Sequence, residues 1–184
     1  DLEFDNDSNC PFYCELGLAH APGTAYPSGQ ICWFPTEGST NGTLVFDGSI
    51  HPVPGILQTP VSLKIENGYI TEITGGVDAQ KFEAWVNGLN DSLMRRMAHV
   101  CYGFHPKAIL SGQCVEDERA WGATEWGIGY LPAADCPPNG INAASHCDGI
   151  SYNTSVWLDG VQVTDCGKVI HPDLVDMARR LFPE

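Results

Sequence analysis

Apolar and polar positions change period several times along this chain, and each change marks an element. The runs 61–66 and 69–74 alternate and flank Asn67-Gly68, a pair whose two residues both tolerate the left-handed backbone of a tight hairpin turn. The pattern then shifts to a helical period. Phe82, Trp85, Val86 and Leu89 fall at i, i+3, i+4 and i+7 and make one apolar stripe. Asp78 stands where it can cap this helix, and Gly88 with Asn90-Asp91 breaks it. A second helical stretch through Leu93, Met94 and Met97 is read as core. Strands are expected over 31–34 and 43–47 around a turn at 38–42, and over 124–128, 144–148 and 154–159. A buried strand over 99–104 is closed by Pro106, and a short acidic helix follows at 116–121. Asp159-Gly160 predicts a second hairpin into 161–164. Pro132, Pro137, Pro138 and Gly140 make 131–142 a loop. The first 30 residues read as loop and short strand. Pro172, Leu174, Val175, Ala178 and Leu181 predict a final amphipathic helix. Strands outnumber helices and several pair locally. The expected class is α+β, with a mixed, largely antiparallel sheet and flanking helices.

Composition adds bounds. The 184 residues suit one domain, and 43% hydrophobic with 17% charged residues is a globular balance. No apolar run approaches the roughly 20 residues that span a bilayer. The net charge of −14 makes nucleic acid and anionic membranes poor partners. An anionic ligand would need a local positive group. Eight cysteines contain no CxxC pair, so a zinc ribbon is not expected. With no secretion signal in view, the expectation is a cytoplasmic protein with free thiols.

The chemistry concentrates in two segments. In a strand, residues i and i+2 share a face, so His146 and Asp148 converge while Cys147 faces away. Such a pair either ligates a metal or forms a plain His–Asp hydrogen bond. On a strand through 99–105, His99, Gly103 and His105 share the other candidate face. Two histidines and one carboxylate form the facial triad of non-haem Fe(II) oxygenases, and the same set serves zinc hydrolysis. Spacing does not choose between them.

At these residues the chain resembles a known superfamily. The segments are Tyr26-Pro-Ser-Gly-Gln30, Asn41-Gly-Thr-Leu-Val-Phe-Asp-Gly48, Ile65-Glu-Asn-Gly68, Gly75-Gly76 and His99-Val-Cys-Tyr-Gly-Phe-His-Pro106. They continue with Glu116-Asp117-Glu118, Gly127-Ile-Gly129, His146-Cys-Asp148 and Leu158-Asp-Gly160. In order, they resemble the C-terminal half of the M29 aminopeptidases. In those peptidases the positions of Gln30 and His99 are metal-binding Glu, and that of Glu125 is a metal-binding His. The departures make the pattern similar to the other branch, the 2,5-dihydroxypyridine 5,6-dioxygenases of nicotinate breakdown. That resemblance implies one Fe(II) held by His99, His146 and Asp148, with dioxygen and a small hydroxypyridine as substrates and N-formylmaleamate as product. It implies that residues 1–184 form the metal-binding C-terminal domain of a longer, homo-oligomeric polypeptide. His105 is the candidate base, and Tyr102 and Glu125 are weaker ones. Glu125 is otherwise expected to be solvated or paired with a lysine. The alternatives are an M29-type metallo-aminopeptidase with a divalent metal centre, and a non-catalytic domain that kept the fold.

Overall fold

The Asn67-Gly68 hairpin forms as its sequence dictates: both residues are left-handed, with φ of 52° and 77°, and they join strand β7 (Val61–Glu66) to β8 (Tyr69–Gly75). The structure is a computed structural model, and it describes residues 1–7, 10–17 and 27–181. Tyr26, the first residue of one resembling segment, lies outside these. Strands β1 (Leu2–Glu3) and β4 (Asn41–Phe46) complete a four-stranded sheet in the order β1-β4-β7-β8. Val61, Leu63 and Ile65 point inward while Lys64 and Glu66 stay exposed, so the alternation in the sequence is the pleat of the strand.

Helix α1 (Val77–Gly88) lays Ala79, Phe82 and Val86 into the core. Truncating Phe82 to Ala would cost about 3–5 kcal/mol, the usual range for a fully buried aromatic. Asp78 does not cap the helix. Gly76 is the cap residue, and the Asp78 carboxylate accepts from the backbone N–H groups of Gln58 and Thr59 at 2.7 and 3.1 Å. The second helical stretch is only a 3-10 turn, Ser92–Arg95. Asp91 caps it through the Leu93 N–H, and the chain extends at Arg96, so Met97 opens a strand instead of continuing a helix.

That strand is β9 (Met97–Gly103), near the centre of a seven-stranded sheet. The other members are β2 (Phe12–Glu15), β3 (Gln30–Trp33), β5 (Ser49–His51), β6 (Gly55–Ile56), β10 (Thr124–Leu131) and β11 (Ile141–Ser151). Their order is β2-β3-β9-β10-β11-β5-β6. All strand pairings among the described residues are antiparallel, and a parallel bridge joins His105 to Ala120. Strands β10 and β11 run past the expected ends at 128 and 148. The acidic helix α2 (Cys114–Asp117) is shorter and earlier than the expected 116–121.

The sheet has two unlike faces. Val100, Trp126, Ile128 and Cys147 are buried on one and join a cluster with Phe46, Leu63, Ile65, Phe82 and Val86. This is the core, held between the two sheets and α1. Gly149 lets the sheets approach, since a methyl there would run into the Phe46 ring. The other face is the candidate site. The Asp159-Gly160 hairpin also forms, in a small sheet of β12 (Val156–Leu158), β13 (Val161–Asp165) and β14 (Lys168–Val169). Helix α3 (Pro172–Leu181) follows with no buried residue. No helix among the described residues is long and apolar enough to cross a membrane.

Candidate metal centre

Register builds the site. Gly127 lies opposite Asp148 and Gly129 opposite His146 between β10 and β11. Glu125 lies opposite Cys101 between β10 and β9. Because alternate residues share a face, one side of the sheet gathers Gln30, Cys32, His99, Cys101, Glu125, His146 and Asp148. All seven line a cavity of about 710 Å³. Phe34, Leu131 and Pro132 add apolar wall, and Tyr13 and Asp135 stand at the rim. The absence of a side chain at Gly127 makes the arrangement possible: a methyl there would overlap the His99 ring.

Ligand atoms of His99, His146 and Asp148 lie within 4.8 Å of one another. The two imidazoles stack, centroids 5.1 Å apart and planes 25° apart. His146 Nε2 is 2.7 Å from Asp148 Oδ1, and His99 Nε2 is 3.6 Å from the same oxygen. His146 Nδ1 is 2.7 Å from the Tyr130 carbonyl oxygen. A carbonyl only accepts, so Nδ1 carries a proton. In neutral His146 the Nε2 lone pair then faces the carboxylate lone pair. The pair needs either a proton or a cation between them.

Electrostatics point the same way. Burial opposes ionisation of Asp148, but the hydrogen bond and charge of His146, with the charge of His99, outweigh it and hold the carboxyl well below its usual range. Burial lowers His146 too, yet Asp148 more than compensates and raises it. Burial lowers His99. Glu125 is fully buried, and burial together with Asp148 and Glu118 pushes its carboxyl well up. The cavity wall holds five carboxylates (Glu15, Glu118, Glu125, Asp135, Asp148) and, among the described residues, no lysine or arginine. Arg119 is buried nearby but already paired with Glu15 and Glu118. A proton on His146 or a metal cation would offset this charge, and two imidazoles with a carboxylate are a set that could hold a metal ion.

The structure brings three of the four expected site residues together. His105 is apart from them. Strand β9 ends at Gly103, so the alternation stops before it reaches His105. His105 Nδ1 accepts from the Lys107 N–H at 3.2 Å, and the residue does not line the cavity. Tyr102 faces away, against Trp33, and burial takes its hydroxyl up to about 12. Glu125 is neither solvated nor paired with a lysine. Both its oxygens approach His99 Nε2, at 2.9 and 3.1 Å, and Gln30 Nε2 donates weakly to it at 3.5 Å.

Sequence reasoning missed two features. Cys32 and Cys101, expected as free thiols, are joined in a disulfide. They are direct partners across β3 and β9, a proximity hidden by a separation of 69 residues. Cys114 also approaches the centre, its Sγ 3.5 Å from Asp148 Oδ2. The remaining six cysteines are free.

Comparison with known proteins adds to this geometry. Residues 1–171 match the family described as NicX: 2,5-dihydroxypyridine 5,6-dioxygenase. A Pseudomonas putida KT2440 protein named 2,5-dihydroxypyridine 5,6-dioxygenase is 28% identical over 176 residues, 89% of this chain and 49% of that protein. The solved structure of the 2,5-dihydroxypyridine dioxygenase from Pseudomonas putida KT2440 superposes with a TM-score of 0.79 at 26% identity, over 90% of this chain and 50% of that one. Wild-type AmpT from Thermus thermophilus superposes with a TM-score of 0.61 at 12% identity, over 82% of this chain and 43% of that one, a likeness of fold. The chain thus spans about half the length of the relatives it matches.

Proposed function

Since this chain belongs to the 2,5-dihydroxypyridine 5,6-dioxygenase family, we propose that it carries the metal centre of a ring-cleaving dioxygenase. One Fe(II) would be held by His99, His146 and Asp148. The substrates would be dioxygen and 2,5-dihydroxypyridine, and the product N-formylmaleamate. The bond between ring carbons 5 and 6 breaks, and both oxygen atoms enter the product. The observation carrying this reading is the convergence of two imidazoles and one carboxylate in a carboxylate-rich cavity without lysine or arginine on its described wall.

When bound, the ion held by His99, His146 and Asp148 would supply Lewis acidity and redox chemistry. The side chains do the rest. Tyr130 fixes the His146 tautomer that offers Nε2 to the cavity. Phe34 packs edge-on against His99, centroids 6.3 Å apart, and restrains its ring. Phe34, Leu131 and Pro132 give a flat aromatic ring apolar walls and exclude water. Gln30 and Glu125 line the cavity and would hydrogen-bond the ring's oxygen and nitrogen. His105, outside the cavity wall, has no part in this arrangement. The chain would supply the metal-binding half of an enzyme twice its length.

A two-metal peptidase centre has less support. It needs several anionic ligands to hold two close cations, and Gln30 offers an amide where the peptidase pattern has a carboxylate.

The test is anaerobic Fe(II) loading of the polypeptide that carries this chain, followed by oxygen uptake with 2,5-dihydroxypyridine. The expected result is about one iron per chain and iron-dependent uptake of one dioxygen per substrate. No uptake, with dipeptide cleavage when two zinc or cobalt ions are bound, would overturn the proposal.

A further inference from the structure

The metal-facing side of the sheet carries a pair that the proposed centre leaves unused. Cys32 and Cys101 are bridged with Cα atoms 4.1 Å apart, and both line the cavity. Cys101 is two residues from His99, so both side chains leave the same face of β9. The Cys101 sulfur also belongs to a second group of potential ligands. Its Sγ, a nitrogen of His99 and a carboxylate oxygen of Glu125 all lie within 4.8 Å of one another. His99 is common to this group and to the His99, His146, Asp148 group. One imidazole cannot be shared freely between two ions, so the two sets compete.

We propose that Cys32–Cys101 is a reversible dithiol–disulfide pair that selects which metal the cavity holds. In the bridged state the Cys101 sulfur is no anionic ligand. Of the two groups that contain His99, the one left to the metal (His99, His146, Asp148) offers nitrogen and oxygen, which suits a ferrous ion. In the reduced state the Cys101 thiol joins His99 and Glu125 in a sulfur-containing set. That set takes a thiophilic divalent cation of the zinc class, because soft thiolate ligands favour it and zinc already exceeds ferrous iron in intrinsic affinity.

The exchange balances as ordinary thiol chemistry. Cys32 is the more exposed partner, half-buried where Cys101 is 2% exposed. A dithiol reductant therefore attacks Cys32 Sγ, and Cys101 leaves as a thiolate. The second thiol of the reductant resolves the mixed disulfide at Cys32 and is itself oxidised. In the other direction a peroxide oxidises Cys32 to a sulfenic acid with release of water. Cys101 then displaces a second water as the bridge forms.

Cobalt(II) alone serves as the probe, because a cobalt–thiolate bond adds an intense near-ultraviolet absorption that nitrogen and oxygen ligands do not. Thiols titrated in denaturant should number six before reduction and eight after, from the six free cysteines and the eight in the sequence. Reduced protein should show the cobalt–thiolate band, and oxidised protein should not. Cys101→Ser should lose the band in every state, whereas Cys32→Ser should show it without reductant. Cys114→Ser should leave it unchanged. Eight thiols before reduction would overturn the proposal, as would a band that survives Cys101→Ser or disappears with Cys114→Ser. None of these readouts depends on turnover, so they stand apart from the oxygen-uptake test.

Discussion

Two histidine–aspartate pairs lie at the seven-stranded sheet, His146 with Asp148 both on β11 and His51 of β5 with Asp117 of α2, and their surroundings differ. Asp117, fully buried, is saturated with donors. Its Oδ2 accepts from the Ser49 hydroxyl at 2.7 Å and faces His51 Nε2 at 3.1 Å. Its Oδ1 accepts from the N–H groups of Ser111 and Gly112 at 2.8 and 3.1 Å. That carboxylate, at the end of α2, ties the loop before the helix to β5, and nothing is left over for a ligand. Asp148 has two histidine nitrogens on one oxygen and the Cys114 thiol on the other, with the Glu125 and Glu118 carboxyls close by. The residue types are the same. What separates a structural pair from a candidate metal site is whether donors or other acceptors fill the shell around the carboxylate.

The contrast can be broken from either side. The largest effect is expected for Asp117→Ala, which leaves buried donors unmet and should lower stability by about 3–5 kcal/mol in chemical denaturation. Metal bound per folded chain should not change. Asp148→Ala should do the reverse. Metal affinity, measured by dialysis, should fall roughly 100-fold or more, since even outer-shell losses cost 10–100-fold. Stability of the metal-free protein should fall by less than in Asp117→Ala, because the lost His146 and His99 contacts are partly offset by relief of the neighbouring Glu125 and Glu118. If Asp148→Ala unfolds the chain instead, the two pairs are alike and the distinction fails.

Gly127→Ala keeps all three proposed ligand residues but pushes the His99 ring away. A loss of about tenfold to 100-fold in metal affinity is expected, with the fold intact by circular dichroism. Asp78 is a third carboxylate and belongs with Asp117, held by two N–H groups. Those hydrogen bonds lower its pKa from the ordinary 3.8, against the opposing effect of burial. Its contribution is therefore present above the unfolded value and lost as pH falls through the lower folded one. Asp78→Asn should cost about 1–2 kcal/mol at pH 7 by urea titration. The gap to the parent chain should close as pH drops below about 4. The smallest effect is expected for His105→Ala. Metal content should not change, and stability should move by no more than about 0.5 kcal/mol.

The local elements were legible because their signals are local. Asn67-Gly68 and Asp159-Gly160 announce their own turns, and the stripe at Phe82, Trp85, Val86 and Leu89 announces one helix face. The convergence of His146 with Asp148 followed from strand alternation alone, whereas His99 came from the family resemblance and stands where the register between β9 and β10 shifts, between Met97 and Val100. His105, expected on the same face, lies two residues beyond the end of β9 and off the cavity wall, because alternation says nothing about where a strand stops. The pairing of Glu125 with His99, and of Cys32 with Cys101, depends on register between strands far apart in sequence. No single segment contains that information.

The Tyr130 carbonyl has a consequence for how this centre tolerates change. The ladder register breaks between Gly129 and Leu131, which leaves Tyr130 unpaired with β11 and its oxygen aimed at His146 Nδ1. Every amino acid has that oxygen, so no substitution at position 130 deletes the group that orients the imidazole. The vulnerability moves to its neighbour. Gly129 holds φ of +88°, and an added Cβ would press on the Ser145 carbonyl. Genetic drift can rewrite the side chain at 130, while the conformation that serves His146 is guarded one residue earlier, by a position with almost no choice.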